Sequence, residues 1–352
     1  MRRTAGVILC ALGSMLLVLG ALARPVLYDR LATVPLDQET KSVSVGQGVD
    51  ALWVHRDGGS VAIDRLEDVQ IRSTREVLGI PGRTADRDGD AFWQTAVTSQ
   101  AEVDGEWVPL QFSDEGVSFD RRTGEATNCC GDYVSVGTVD DPDATQEVEH
   151  AGNFFKLPFG VEKKTYAWWD GDLGRATDLK FLRTEDIEGT QTYVFQQVIE
   201  PQRVGERSVP ASLFGGSEDD GDVDAEVVYG NTRTLWIEPN TGVIIKGQEE
   251  LNRNLEADGY DPVPMTVGTI GYDDQTVSDN AKTWGSKGSL LGFIGGALTP
   301  VALVLGLVLL GLGLFLLLAG RRTRARRHDD SQDYDLVDAS SGATSAPGSH
   351  RR

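Results

Sequence analysis

The sequence predicts a mainly β, antiparallel, extracytoplasmic domain flanked by N- and C-terminal transmembrane helices, and three observations carry that class. Two long uncharged apolar runs, residues 7–23 and 290–320, lie near the two ends of the chain. Between them, short alternating or β-branched runs recur and are punctuated by Gly, Asp, Asn and Pro. No long amphipathic helical period interrupts them, so the middle of the chain reads as antiparallel strands with few helices.

The C-terminal run is the clearer of the two. It spans 31 residues and stops against Arg321, Arg322, Arg324, Arg326 and Arg327. A helix rising ~1.5 Å per residue crosses a hydrocarbon core of roughly 30 Å with about 20 residues, so the run is longer than one span requires. Thr299 and Pro300 can act as an N-cap and first-turn proline, giving a spanning helix over 299–320 and an interfacial segment over 289–298. The alternative is one longer helix kinked at Pro300. Gly292 and Gly296 make a GxxxG pattern, and Gly306, Gly311 and Gly313 offer other close-approach surfaces. In so glycine-rich a run, a plain lipid-facing helix is the simpler reading.

At the other end, residues 1–6 carry Arg2 and Arg3, residues 7–23 carry no charge, and Arg24 and Pro25 follow. The small residues Ala21 and Ala23 suit a cleaved secretory signal, whereas the length of the run favours an uncleaved transmembrane helix or signal anchor. Both give the same sidedness, with the arginines at each end inside and residues 24–288 outside the cytoplasmic membrane. The expected arrangement is two-pass with both termini cytoplasmic. Residues 321–352 form a basic, then polar tail with too few apolar groups to fold.

Charge agrees with an exterior placement. The whole chain has a formal net charge of −21; setting aside the nine basic and five acidic residues outside 24–320 leaves 24 basic and 49 acidic ones, a net charge of −25. A domain with that field repels nucleic acid and anionic headgroups, so nucleic acid is excluded as a partner. At 265 residues, 24–288 is long enough for one large or two ordinary domains.

Within it, strands are expected around 42–45, 51–54, 69–72, 92–97, 107–112, 192–198, 233–237 and 242–245. The clearest hairpin is Leu235-Trp-Ile-Glu-Pro-Asn-Thr-Gly242, where Pro239 presets a turn and Gly242 can take positive φ. A similar strand, polar turn and Thr-Gly order ends at Thr123 and Gly124, 118 residues upstream, which hints at two related halves.

Chemistry is sparse. Only His55 and His150 lie between the apolar runs, with no zinc-ligand spacing, and no nucleophile-elbow or phosphate-loop motif has a suitable context. The acidic ladders at Asp86, Asp88 and Asp90 and at Asp220, Asp222 and Asp224 lack the glycine and terminal acid of a calcium loop. No catalytic residue, metal or cofactor is therefore expected, and the chain reads as a non-enzyme. Six of the 26 aromatic residues fall within 16 positions: Phe154, Phe155, Phe159, Tyr166, Trp168 and Trp169. They are the candidate surface for an acyl chain, a protein partner or membrane lipid; the competing reading is a core plug between sheets. Cys10 lies in the first apolar run, which leaves the adjacent Cys129 and Cys130 as a candidate vicinal disulfide. Neighbouring Cα atoms are ~3.8 Å apart, short of the usual ~4.4 Å disulfide minimum.

Several motifs together resemble an actinobacterial membrane-protein family labelled porin PorA. They are Arg24-Pro-Val-Leu-Tyr-Asp-Arg-Leu31, Val34-Pro-Leu-Asp37, Asn128-Cys-Cys-Gly-Asp132, Leu157-Pro-Phe-Gly160, Tyr166-Ala-Trp-Trp-Asp-Gly-Asp172 and the hairpin at 235–242. The resemblance covers both anchors and the domain between them, and it carries no assigned catalytic residue. A spanning β-barrel needs strands of about 9 to 11 residues with a lipid-facing apolar alternation. The short strand signals and heavily charged loops here do not supply it, so a pore would have to come from oligomerisation of the helices. The two-helix topology is similar to that of the scavenger-receptor family, in which terminal helices hold a β-rich lipid-binding ectodomain. The functional expectation is an envelope protein whose exterior domain binds envelope lipid, cell-wall material or another envelope protein, the alternative being a channel or porin-like protein.

Overall fold

The computed structural model describes residues 2–58, 60–137 and 144–335. The chain forms two compact units, one built from the apolar helices up to Asp29 and from Phe293 onward, the other Arg30–Gly292.

The larger unit is one antiparallel sheet of twelve strands among the described residues. Its first six strands are β1 (Glu39–Asp57), β2 (Ser60–Gly79), β3 (Asp90–Val103), β4 (Glu106–Asp120), β5 (Tyr133–Ser135) and β6 (Thr145–Glu147). The other six are β7 (Tyr166–Asp170), β8 (Arg175–Ile187), β9 (Thr190–Pro210), β10 (Asp222–Ile237), β11 (Ile244–Glu256) and β12 (Val263–Tyr272). The spatial order β6-β5-β4-β3-β2-β1-β12-β11-β10-β9-β8-β7 makes two six-stranded meanders joined where β1 pairs with β12. The expected antiparallel class and the hairpin at 235–245 are both present.

Strand length departs from expectation. β1, β2 and β9 run for 19, 20 and 21 residues, not the short segments that the alternation suggested. Register shifts explain the difference, because each bulge inserts a residue and flips the in–out phase. Such shifts fall between Gly46 and Val49 in β1 and between Tyr229 and Asn231 in β10. A long bulged strand therefore reads in sequence as two short ones.

Asn153 links the segment that follows β4 to the edge strand β7, bridging Glu125 on one side and Trp168 on the other. Its N–H donates to the Ala167 carbonyl at 2.8 Å, and Trp169 N–H donates to its carbonyl at 2.9 Å. The chain from Leu157 to Val161 then runs between the turns that end β4 and β10. Phe159 N–H donates to Arg122 O at 3.1 Å, and Leu157 N–H to Gly242 O at 2.9 Å. Helix α3 (Asp274–Gly292) seats Gly285 against Thr190 and Gly288 against the Glu238 carboxylate, positions where a larger residue has no room.

In the smaller unit, α1 (Arg2–Leu22) continues through a π-helical stretch, Ala23–Tyr28, and the single turn α2 (Asp29–Leu31). After α3 the chain passes through a second π-helical stretch, Phe293–Ala297, into α4 (Leu298–Asp335). Helical backbone is continuous across residues 289–298 and past Pro300. A wide π-turn just before the proline relieves the clash between its ring and the preceding carbonyls. The helical backbone extends to Asp335, so the polar tail begins later than its composition suggested; residues 336–352 lie outside the described part.

The lipid-facing expectation for the glycines of α4 is corrected at two of them. A Cβ on Gly313 would stand 2.8 Å from Gly6 O, and one on Gly306 would stand 2.9 Å from Gly13 O. Gly6, Gly13 and Gly20 recur every seven residues on α1, and Gly20 meets Ala302. The two helices pack through this stripe because small residues let backbones approach closely. Gly296 and Gly311 meet nothing within 4 Å.

Candidate functional site

The interior of the sheet is a partly enclosed cavity of about 560 Å³ lined by both meanders. Alternate residues of a strand share one face, and the inward-facing positions here mix polar side chains with apolar ones such as Ile71, Val97, Leu110, Leu251 and Ile270. β1 contributes Ser42 and Ser44, β2 Ser73 and Arg75, and β4 Ser113 and Glu115. Ser73 and Ser99 hydroxyls lie 2.7 Å apart across the β2–β3 pair. Outward faces carry exposed ion pairs: Lys41 with Glu76 at 3.0 Å, Arg203 with Glu226 at 2.6 Å and Arg183 with Glu185 at 2.6 Å.

Arg233 on β10 organises the charged wall of the cavity. Its Nε donates to Glu249 Oε1 at 2.9 Å and its Nη1 to Gln197 Oε1 at 2.6 Å, while Nη1 also lies 3.2 Å from Asp170 Oδ2. Tyr229 O–H donates to Asp170 Oδ2 at 3.1 Å, and Asn231 Nδ2 donates to Glu249 Oε2 at 3.0 Å. Burial would push Glu249 up, but the Arg233 guanidinium outweighs it and holds the carboxyl below its ordinary range. Burial, with the Asp170 charge, pushes the Tyr229 phenol far up, so it stays a donor. Beside them, Arg253 Nη1 pairs with Asp172 Oδ1 at 2.9 Å, and burial raises the Asp172 carboxyl. Two arginines and three acids therefore arrive already paired.

Near the sheet edge lies a second buried cluster. His150 has Nδ1 at 3.2 Å from Asp132 Oδ2 and Nε2 at 3.5 Å from Glu115 Oε2. Burial lowers its basicity, yet the two carboxylates flanking the ring, Asp132 hydrogen-bonded to it and Glu115 beside it, prevail and raise it. Ser118, Asp132 and His150 carry the residue types of a hydrolytic triad in the wrong order. The Ser118 hydroxyl donates to Asp132 at 2.5 Å and accepts Cys129 N–H at 2.9 Å, so its proton goes to the acid and not to the imidazole. His55 sits elsewhere, stacked on Trp53 at 3.9 Å with Nε2 at 2.8 Å from Asp64 Oδ2.

The six aromatic residues are distributed over three buried clusters and do not share one open face. Tyr166 and Trp168 pack with Leu157, Leu179, Phe195 and Leu235. Phe155 and Phe159 cover Trp93 and Phe119, while Phe154 and Trp169 pack with Val117. Of the six, only Phe154, Trp168 and Trp169 also reach the cavity. Lys156 is 3% exposed among them, with Nζ 3.6 Å above the Phe159 ring; burial pushes its ammonium down to about 7. Cys129 and Cys130 are bridged to each other in the turn before β5. The two acidic ladders serve locally: Asp90 pairs with Arg87 and Asp220 accepts from Ser217 N–H.

Arg233, Glu249, Asp170, Tyr229 and the inward serines were not singled out from sequence. Their signal is polar alternation at Tyr229-x-Asn231-x-Arg233, with Glu249 and Arg253 on the neighbouring strand, which reads as a solvated strand face unless the sheet is known to curl.

Two helices long and apolar enough to cross a membrane accompany a β-rich domain, and the comparisons with known proteins place this combination among membrane proteins of the cell envelope. The chain belongs to the porin PorA family, whose model matches residues 5–315. Among curated relatives, a porin PorA of Corynebacterium amycolatum is 23% identical over 300 residues, covering 71% of this chain and 78% of the relative. A porin PorA of Corynebacterium resistens is 23% identical over 289 residues, covering 60% of this chain and 67% of the relative.

Proposed function

We propose that this is a non-enzymatic, membrane-anchored envelope protein that handles polar solutes, with porin-like permeation arising from association of several copies. The polar and charged groups on the cavity wall carry this reading, because an acyl-chain pocket would be lined with apolar side chains throughout. The names of the two relatives support the same side. The sheet is not the spanning element: its outward ion pairs would face lipid, where exposed charges cost about 2–4 kcal/mol each at the midplane. Two helices cannot enclose a water-filled path, so the helix pair must repeat around an axis to make one. Arg2, Arg3 and the arginines after Gly320 support cytoplasmic termini and a domain outside the membrane. A net charge of −25 over residues 24–320 would enrich cations near the mouth of such a path.

Reconstituting the full chain in planar bilayers tests the proposal. Stepwise conductance with cations favoured over anions is expected. A bilayer that stays silent at protein densities giving confirmed insertion would overturn permeation and leave a ligand-binding envelope domain, the second reading that the partly enclosed cavity favours.

A further inference from the structure

We infer that the cavity inside the sheet is a binding site for an uncharged, polyhydroxylated ligand of one or two sugar rings. The inference rests on the reading that the domain handles polar solutes, and it names their class. Its first support is size: about 560 Å³ lies within the ~300–1,000 Å³ of small-molecule sites. Its second is charge. Arg233 is held by Glu249 and Asp170, Arg253 by Asp172, Glu115 lies beside His150, and Arg75 lies over the Phe154 ring with its charge acting on Glu249, so these ions do not call for a charged ligand. Paired carboxylates still have free lone pairs, and they accept hydroxyl protons as well as guanidinium ones.

The third support is the match between hydrogen-bonding groups. Ser44, Ser99 and Ser113 present hydroxyls along the wall. Trp168 and Trp169 add ring surface to the same wall, against which the apolar face of a sugar ring can stack. A sugar hydroxyl is donor and acceptor at once, so it satisfies serine hydroxyls and carboxylate acceptors together. An acyl chain satisfies none of them and strips their water, at roughly 1–3 kcal/mol for each polar group left unpaired.

The test uses the full chain in a sugar-free detergent or in nanodiscs, titrated calorimetrically with glucose, maltose, glycine betaine and palmitate, while the change in tryptophan emission that Trp169→Phe abolishes reports the cavity. Glucose or maltose is expected to bind saturably and shift the emission, with betaine and palmitate inert. Ser99→Leu and Ser113→Leu, on neighbouring strands, should each weaken sugar binding at least tenfold with an unchanged melting curve; if one unfolds, the other carries the test. Binding of the sugar presented on a glycolipid vesicle would support the same chemistry and identify a headgroup as the source. Palmitate binding in place of sugar, no saturable sugar binding, or sugar binding indifferent to the folded serine variants would overturn the inference. Conductance without sugar binding sinks this inference alone, and sugar binding without conductance sinks permeation alone.

Discussion

The two meanders share a plan and differ in how they close. Each ends its fourth strand in the same turn. Asp120 Oδ1 accepts the N–H groups of Arg122 and Thr123, and Glu238 accepts those of Asn240 and Thr241; a Thr-Gly pair follows each. Beyond that turn they diverge. The second meander continues into full-length β11 and β12, whereas the first dwindles to β5 and β6 of three residues each. Where strands are long, interior charge is held by a guanidinium spanning strands, Arg233. Where they are stubs, backbone pairing runs out and buried side chains, His150 with Asp132 and Glu115, take its place. A permanent cation thus secures one half and a titratable one the other.

The largest effect is expected from breaking the permanent side. Arg233→Met leaves the buried Asp170 and the part-exposed Glu249 without their counter-ion; removal of one partner from a fully buried pair costs about 3–5 kcal/mol, and solvent at Glu249 places the loss toward the lower end. Denaturant unfolding of the full chain in detergent, followed by tryptophan emission, should show that loss. An effect below about 1 kcal/mol would mean that water already screens the pair.

The equivalent turns give the next contrast. Gly242 has φ 75° and a Cβ there would overlap the Leu157 carbonyl; Gly124 has φ 73° and its added Cβ would stand 2.7 Å from Lys156 O. Forcing alanine into the left-handed region costs roughly 1–2 kcal/mol, and overpacking adds about 1–3 kcal/mol. Gly242→Ala should therefore destabilise by about 3 kcal/mol and Gly124→Ala by about 2 kcal/mol, read from the same unfolding curves. The reverse order would show that the linker at 157–161 yields more easily on the β10 side.

These turns were legible in sequence because Pro239, Gly242 and Gly124 act locally. The helices were legible for the same reason, since hydropathy needs no partner. The cavity was not: Ser73 and Arg75, or Asn231 and Arg233, look like solvated positions until curling turns their face inward. Strand lengths were obscured by bulges that reset the alternation. Aromatic density at 154–169 was visible, but only the fold divides it among three clusters. Heptad-spaced Gly6, Gly13 and Gly20 were visible, and their meaning needed the partner helix.

The titratable side should respond to pH. His150 has its basicity raised in the folded protein, so its stabilisation is full below the unfolded value near 6.5 and is lost as pH climbs through the raised one. Wild-type stability minus that of His150→Gln should fall over that window by an amount on the order of 1 kcal/mol, the scale of one hydrogen bond to a charged group. Arg233 does not titrate there, so Arg233→Met should retain the slope. Identical slopes in wild type and His150→Gln would assign the pH response to other groups.

The smallest effect is expected on the outer face. Arg203 reaches both Glu206, at 2.8 Å, and Glu226, at 2.6 Å, with the same short geometry as the interior pairs, but half of each side chain is in water. Solvent already stabilises these charges, and fixing three long side chains costs rotamer entropy, so an exposed pair contributes less than about 1 kcal/mol. Arg203→Ala should leave the unfolding midpoint nearly unchanged, with any small loss vanishing in high salt. A loss as large as that of Arg233→Met would mean that this surface is covered in the assembled protein, which would make β9 and β10 the face where copies meet.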